Sequence, residues 1–161
     1  MGKSAELREE VRKSFFPFIK ARGFIQEKSG SPLFMSFRKK GEDRTYLVDI
    51  HWDKRYHPRF VVEFGHCDND GVDFGGVHIS AEKVSQGQLQ HRGRIYAKRG
   101  NKFWSPGDWF RQDVPLLKRL FLFKALYPAS EVVEQLRTNF VELETFWQSG
   151  QAGPHLDVRY Y

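Results

Sequence analysis

The chain is 161 residues long, 40% hydrophobic and 29% charged, the size and balance of one folded domain that buries a core without disulfide staples. Its single cysteine, Cys67, excludes an internal disulfide and a cysteine-based zinc site, and no stretch approaches the roughly 18 apolar residues of a membrane span. The net charge is +6 but local: Lys83 to Gly107 holds six Lys/Arg and no Asp or Glu, and removing those six from 26 leaves 20 basic against 20 acidic residues. The cysteine usage and the N-terminus MGKSAELREEVRKSFF, which has no apolar leader, set the expectation of a cytoplasmic protein.

In chain order, residues 5–22 (AELREEVRKSFFPFIKAR) place Leu7, Val11, Phe15 and Phe18 at near-helical spacing, with Gly23 as a C-cap. Pro17 inside this amphipathic helix removes a backbone donor and predicts a kink or an early last turn. Four strand-like runs follow at 24–28, 33–39, 45–53 and 59–67, joined by KSGSP, KGED and KRYHP, and they read as an antiparallel meander. Alternation sets Val48, Ile50 and Trp52 against Asp49, His51 and Asp53, and Phe60, Val62 and Phe64 against Val61 and Glu63. One sheet face is core and the other is at least partly wet.

Residues 68–76 read as a polar, glycine-rich loop and 77–80 as a short strand. The stretch QHRGRIYAKRGNKFW (90–104) then alternates Arg92, Arg94, Tyr96 and Lys98 with Gly93, Ile95 and Ala97, a strand with a cationic outer face. After the aromatic loop FWSPGDWF, residues 115–127 are apolar on nearly every side and predict a buried helix. Ser130 is the expected N-cap of a last helix with the stripe Val132, Leu136, Phe140, Leu143 and Trp147, closed by Gly150. Residues 150–161 show no clear periodicity and read as an irregular tail. The expectation is a single α+β domain over residues 1–161: an N-terminal helix, an antiparallel β-sheet of about five strands, and two C-terminal helices packed on one face.

Few motifs carry chemistry. HCDNDGVDFGG resembles a calcium loop, but with Gly71 at the sixth position His66 and Val77 fall where carboxylates are needed. His51, His57, His66, His78 and His91 show no zinc spacing, and no nucleophile elbow, P-loop or dinucleotide fingerprint occurs. No metal or cofactor is implied. Asp49, His51 and Glu63 share one predicted face and form a candidate acid/base group, which a wet sheet face explains equally well.

The basic stretch is the strongest positive feature. Arg92, Arg94, Lys98 and Arg99, with Tyr96 and Trp104, combine cations with aromatics. An edge strand charged against aggregation accounts for them too, as does pairing with Asp49, Asp53 or Glu63 on neighbouring strands. Three functional readings follow. The preferred one is a non-catalytic binding domain whose cationic strand meets an acidic protein or anionic ligand. The second is a nucleic-acid binder using the same strand, and the third an enzyme using Asp49, His51 and Glu63.

The order of landmarks is also familiar. FFPFIKARGF, then LFMSFRK, a hydrophobic strand pair, QHRGRIY, the tryptophan loop at 103–110 and the closing helices together resemble the bacterial domain-of-unknown-function family DUF4304, over about residues 5–149. The resemblance implies a bacterial α+β domain built on an antiparallel sheet, and it hands over no catalytic residues.

Overall fold

A computed structural model of the chain describes residues 2–98, 109–113 and 127–160. The N-terminal helical segment runs as α1 (Lys3–Glu10), a π-turn (Val11–Phe15) and α2 (Phe16–Lys20). Its sequence explains the π-turn. The fully buried residues are Leu7, Val11, Phe15 and Ile19, each four apart. In an unbroken α-helix a four-residue step overshoots one turn by about 40°, so such a stripe rotates off the core within three steps. The wider turn takes up that drift, and Pro17, which cannot donate to the carbonyl four residues back, stands two residues after it, in the first turn of α2. The expected disturbance at Pro17 is therefore a π-turn, and Ile19 rather than Phe18 completes the buried stripe. Gly23, at φ +86°, ends the segment in the left-handed region that favours glycine.

The main sheet has seven strands: β1 (Ile25–Gln26), β2 (Phe34–Lys40), β3 (Arg44–Trp52), β4 (Arg59–Asp68), β7 (His91–Ile95), β8 (Phe110–Arg111) and β9 (Leu156–Tyr160). Its order is β1-β2-β3-β4-β7-β9, with β8 also pairing β4, and every pairing is antiparallel. Two further strands, β5 (Val72–Phe74) and β6 (Val77–Ile79), form a separate hairpin. The α+β class and the meander agree with expectation, and the strand number exceeds the five expected.

Three differences have physical causes. The loop expected at 68–76 contains β5, because Gly75 and Gly76 both adopt positive φ and close a two-residue hairpin. The tail expected to be irregular forms β9: Leu156 and Val158 pack on the core, Asp157 faces the other way, and the backbone pairs residue for residue with β7. The last helix, α3 (Ala129–Ser149), takes Pro128 rather than Ser130 as its N-cap, with Gly150 at φ +75° behind it. The helix expected over 115–127 lies outside the described residues apart from Tyr127. One C-terminal helix is therefore described, where two were expected.

Both helical segments cover one sheet face. Phe15, Phe37, Phe60, Phe64, Phe110 and Phe140 are the largest fully buried side chains there. A second, smaller cluster of Leu47, Cys67, Ala81, Val84 and Leu89 lies apart from that core, formed where residues 81–89 fold back over part of the opposite face. No helix among the described residues is long and apolar enough to cross a membrane.

Gly93 is where β7 and β9 meet the core most tightly. A Cβ added there would lie 2.6 Å from Phe64 Cζ and would also collide with the Asp157 carbonyl. We expect Gly93→Ala to destabilise the fold by about 1–3 kcal/mol in urea unfolding. Gly30→Ala, with nothing within 4 Å of the new methyl, should stay within about 0.5 kcal/mol of the wild type.

Candidate functional site

The outer face of the sheet carries the polar residues singled out in the sequence. Register places Ser36, Asp49, Glu63, Arg94 and Asp157 directly opposite one another in a row across β2, β3, β4, β7 and β9. Two carboxylates face each other where Asp49 meets Glu63, an arrangement that is repulsive unless cations intervene. Arg94 supplies one, and the His51 ring stands between the two carboxylates. His51 Nε2 lies 3.7 Å from Asp49 and its Nδ1 3.9 Å from Glu63, while Phe34 stands edge-on to the imidazole at 4.8 Å. Arg94 donates to Glu63 Oε1 from Nε at 3.0 Å and from a terminal nitrogen at 2.6 Å.

Asp49, His51 and Glu63 therefore do converge. Their geometry suits charge pairing better than catalysis. Both imidazole nitrogens face carboxylates, so neither addresses a hydroxyl or thiol nucleophile, and Glu63 is already held by Arg94.

The basic strand is not a sheet edge, because β7 lies between β4 and β9. Protection of an exposed edge thus does not account for its charges. Each of its outward residues has a distinct environment. Arg92 donates to the Gly87 carbonyl at 3.2 Å, and Arg94 is ion-paired with Glu63, one of the pairings expected from the sequence. The Tyr96 hydroxyl donates to Asp157 at 2.8 Å, and the Lys98 ammonium lies 5.8 Å from the Tyr127 ring centre. The strand end is clamped from the core side by Asn139 on α3, which donates to the Tyr96 carbonyl at 2.6 Å. Arg99 and Trp104 lie outside the described residues.

Between β7 and the segment 81–89 lies a cleft of about 230 Å³ lined by Glu63, Gln86, Arg92, Gly93 and Arg94. Gln86 was not picked out from the sequence. It sits on a 3-10 turn (Gln86–Gln88) whose Ser85 and Gln88 form a capping box, and the Ser-x-x-Gln spacing is the one sequence signal for that turn. Gly65 makes room for it: a Cβ there would meet Leu89 at 2.5 Å and Gln86 Nε2 at 3.3 Å. Gln86 is 5% exposed, and neither its amide nitrogen nor its amide oxygen has a hydrogen-bond partner among the described residues. A buried amide left unpaired costs about 1–3 kcal/mol, so its position calls for a reason.

A second cleft of about 240 Å³ is lined by Arg44, His66, Asp68, Asp73, Gln90 and His91, among others. The His66 and His91 rings stack at 5.1 Å, nearly parallel. Among the described residues no three His, Cys, Asp or Glu side chains converge on a point that could hold a metal ion. The stretch resembling a calcium loop is a hairpin corner instead: Asn69 Nδ2 donates to the Gly41 and Glu42 carbonyls, and Asp73 holds His78 at 2.9 Å. Cys67 is buried, and its thiol is pushed up by desolvation, away from the reactive thiolate.

No family model, curated protein or solved structure matches the chain.

His66 provides a pH signature for this region. Burial, with Arg44 and His91 beside it, lowers its pKa from 6.5 to about 4. The fold thus holds the ring neutral at pH values where the unfolded chain protonates it. This contribution is complete above pH 6.5 and is lost as pH falls from 6.5 toward 4. In urea unfolding over that window, His66→Gln should lose stability less steeply than the wild type, and an equal slope in both would contradict the assignment.

Proposed function

We propose that the chain is a non-catalytic binding domain that takes one anionic group, a carboxylate of an acidic protein partner or of a small ligand, in the cleft between the 3-10 turn and β7. The observation that carries this reading is Gln86, a buried amide without a partner among the described residues, lining the same concavity as Arg92 and Arg94. A guanidinium and an amide beside one another offer the planar donors a carboxylate accepts.

The charge count supports one anionic group rather than a polyanion. Glu63 neutralises Arg94, so the cleft's lining carries two guanidinium groups and one carboxylate, a net charge of one. Phosphate backbones are tracked by rows of cations, and the Tyr96 hydroxyl is tied to Asp157 beside this strand. These contacts favour an acidic protein or small carboxylate over nucleic acid as the occupant of this cleft. They also favour binding over acid/base catalysis at Asp49, His51 and Glu63.

The test is a titration with a fluorescein-labelled hexaglutamate peptide, with hexaglutamine as the uncharged control. The wild type should bind the acidic peptide, and both Arg92→Glu and Gln86→Leu should weaken binding at least about tenfold, or 1.4 kcal/mol. Gln86→Leu should at the same time unfold at a urea concentration no lower than the wild type, because it removes an unpaired buried amide. Equal affinity for both peptides, or full affinity in both variants, would remove the cleft as the binding site.

A further inference from the structure

The turn between β3 and β4 holds the one non-glycine residue in the left-handed region among the described residues, and it is a tyrosine. Tyr56 has φ +60° and is 74% exposed. A bulky side chain is strained there, whereas Asn or Gly would adopt the same backbone at little cost. Nothing about closing the turn requires an aromatic ring at this position. The turn is organised around Asp53, whose side chain is 5% exposed. Its carboxylate accepts the Arg55 backbone N–H at 2.6 Å and the Arg59 Nε at 2.5 Å and faces His57 Nδ1 at 3.4 Å, while its own carbonyl accepts the Tyr56 N–H at 3.1 Å. These contacts hold its pKa below the usual carboxylate range against its own burial. One buried charge thus fixes the whole turn and presents the Tyr56 ring to solvent.

Around that ring the exposed side chains are cationic or titratable: Lys54, Arg55 and His57 are its immediate neighbours in the turn. Among the described residues Lys54 and Arg55 carry no ion pair. Arg59, also at this end, is paired with Asp53 and lies over the Trp109 ring at 4.6 Å, and Arg111, opposite Arg59 in register, is paired with Asp113. Arg8 lies over Trp52 at 4.5 Å, and Glu6 lies near Gln112. The paired groups cancel, and among the described residues Lys54 and Arg55 stand outside those pairs.

We propose that this turn is a contact site for single-stranded nucleic acid, with Tyr56 stacking on a base and Lys54 and Arg55 meeting the flanking phosphates. An exposed π-face beside cations is what sequence-tolerant single-strand binding uses, and preorganisation by Asp53 means that little ordering is required when the strand arrives. The site is separate from the Gln86 cleft: Arg59 starts β4 beside the turn, and Glu63, the β4 residue that lines the cleft, stands four residues further on. An acidic peptide would use the cations but has no use for a ring held out at a strained backbone position.

The experiment is fluorescence anisotropy of a labelled single-stranded oligonucleotide across a salt series, alongside thermal unfolding of each variant. The wild type should bind, with affinity falling as salt rises. Tyr56→Asn should weaken binding about five- to hundredfold, as loss of one stacked base does, while raising Tm by a few degrees through relief of the strained backbone. Lys54→Glu combined with Arg55→Glu should lower the slope of log affinity against log salt by about two phosphate contacts. Arg92→Glu should leave oligonucleotide binding unchanged, which separates this site from the cleft. The proposal is overturned if the wild type fails to bind at low salt, if Tyr56→Asn gains stability without losing affinity, or if only the hexaglutamate peptide depends on Lys54 and Arg55.

Discussion

The packing of Phe140 between the two ends of the chain is the contact on which the rest of the structure depends. Its ring lies 5.8 Å from Phe15, 5.8 Å from Phe18, 5.9 Å from Phe24 and 6.5 Å from Trp147, two turns further along α3, and all four contacts are edge-on. Residues near position 20 and near position 140 thus form one aromatic layer, and the sheet between them is covered only when both are in place. Arg22 reinforces the join on the surface, pairing with Glu144 at 2.9 Å while lying over the Phe18 ring. Edge-to-face pairs of this kind add about 0.5–1.5 kcal/mol each beyond the area they bury.

That layer also decides what the opposite face can do. With the apolar positions of β3, β4 and β7 spent on the helices, the alternate residues have to be polar, covered or both. Residues 81–89 cover the part nearest Leu47 and Cys67, anchored by Arg38, which donates to the Ala81 and Val84 carbonyls and pairs with Glu27. The part beyond that cover carries the Ser36–Asp157 row. Its charges are mostly satisfied among themselves, so a run of cations in the sequence does not translate into an equally cationic surface.

The core was legible in the sequence because it depends on periodicity. Val48, Ile50 and Trp52, Phe60, Val62 and Phe64, and the α3 stripe all announce themselves at spacings of two or three to four. β9 was not, since LDVRY alternates for only five residues behind a Gly-Pro pair, and only the open side of β7 makes it a strand. The π-turn escaped for a related reason. Four-residue spacing reads as an ordinary helix until the accumulated drift is set against a fixed core. The candidate sites were harder still, being products of register: Glu63 meets Arg94 because β4 and β7 align as they do, and Gln86 reaches its cleft only because residue 65 is glycine. Asp49, His51 and Glu63 could be brought to one face by alternation alone, but which nitrogen faces which carboxylate could not.

KRYHP shows the limit most plainly. As a string it is a turn signal, and its proline and charged residues account for that fully. The left-handed tyrosine becomes visible only when Asp53, one residue upstream and buried, is seen gathering three partners around the turn that holds position 56. Selection for stability alone would favour asparagine or glycine there. A strained, exposed ring between cations is therefore evidence of a different kind from a basic stretch: charge has many structural uses, whereas strain maintained around a solvent-facing aromatic has few. On that ground the turn and the Gln86 cleft, each holding something the fold does not need, are better guides to function than the count of lysines and arginines.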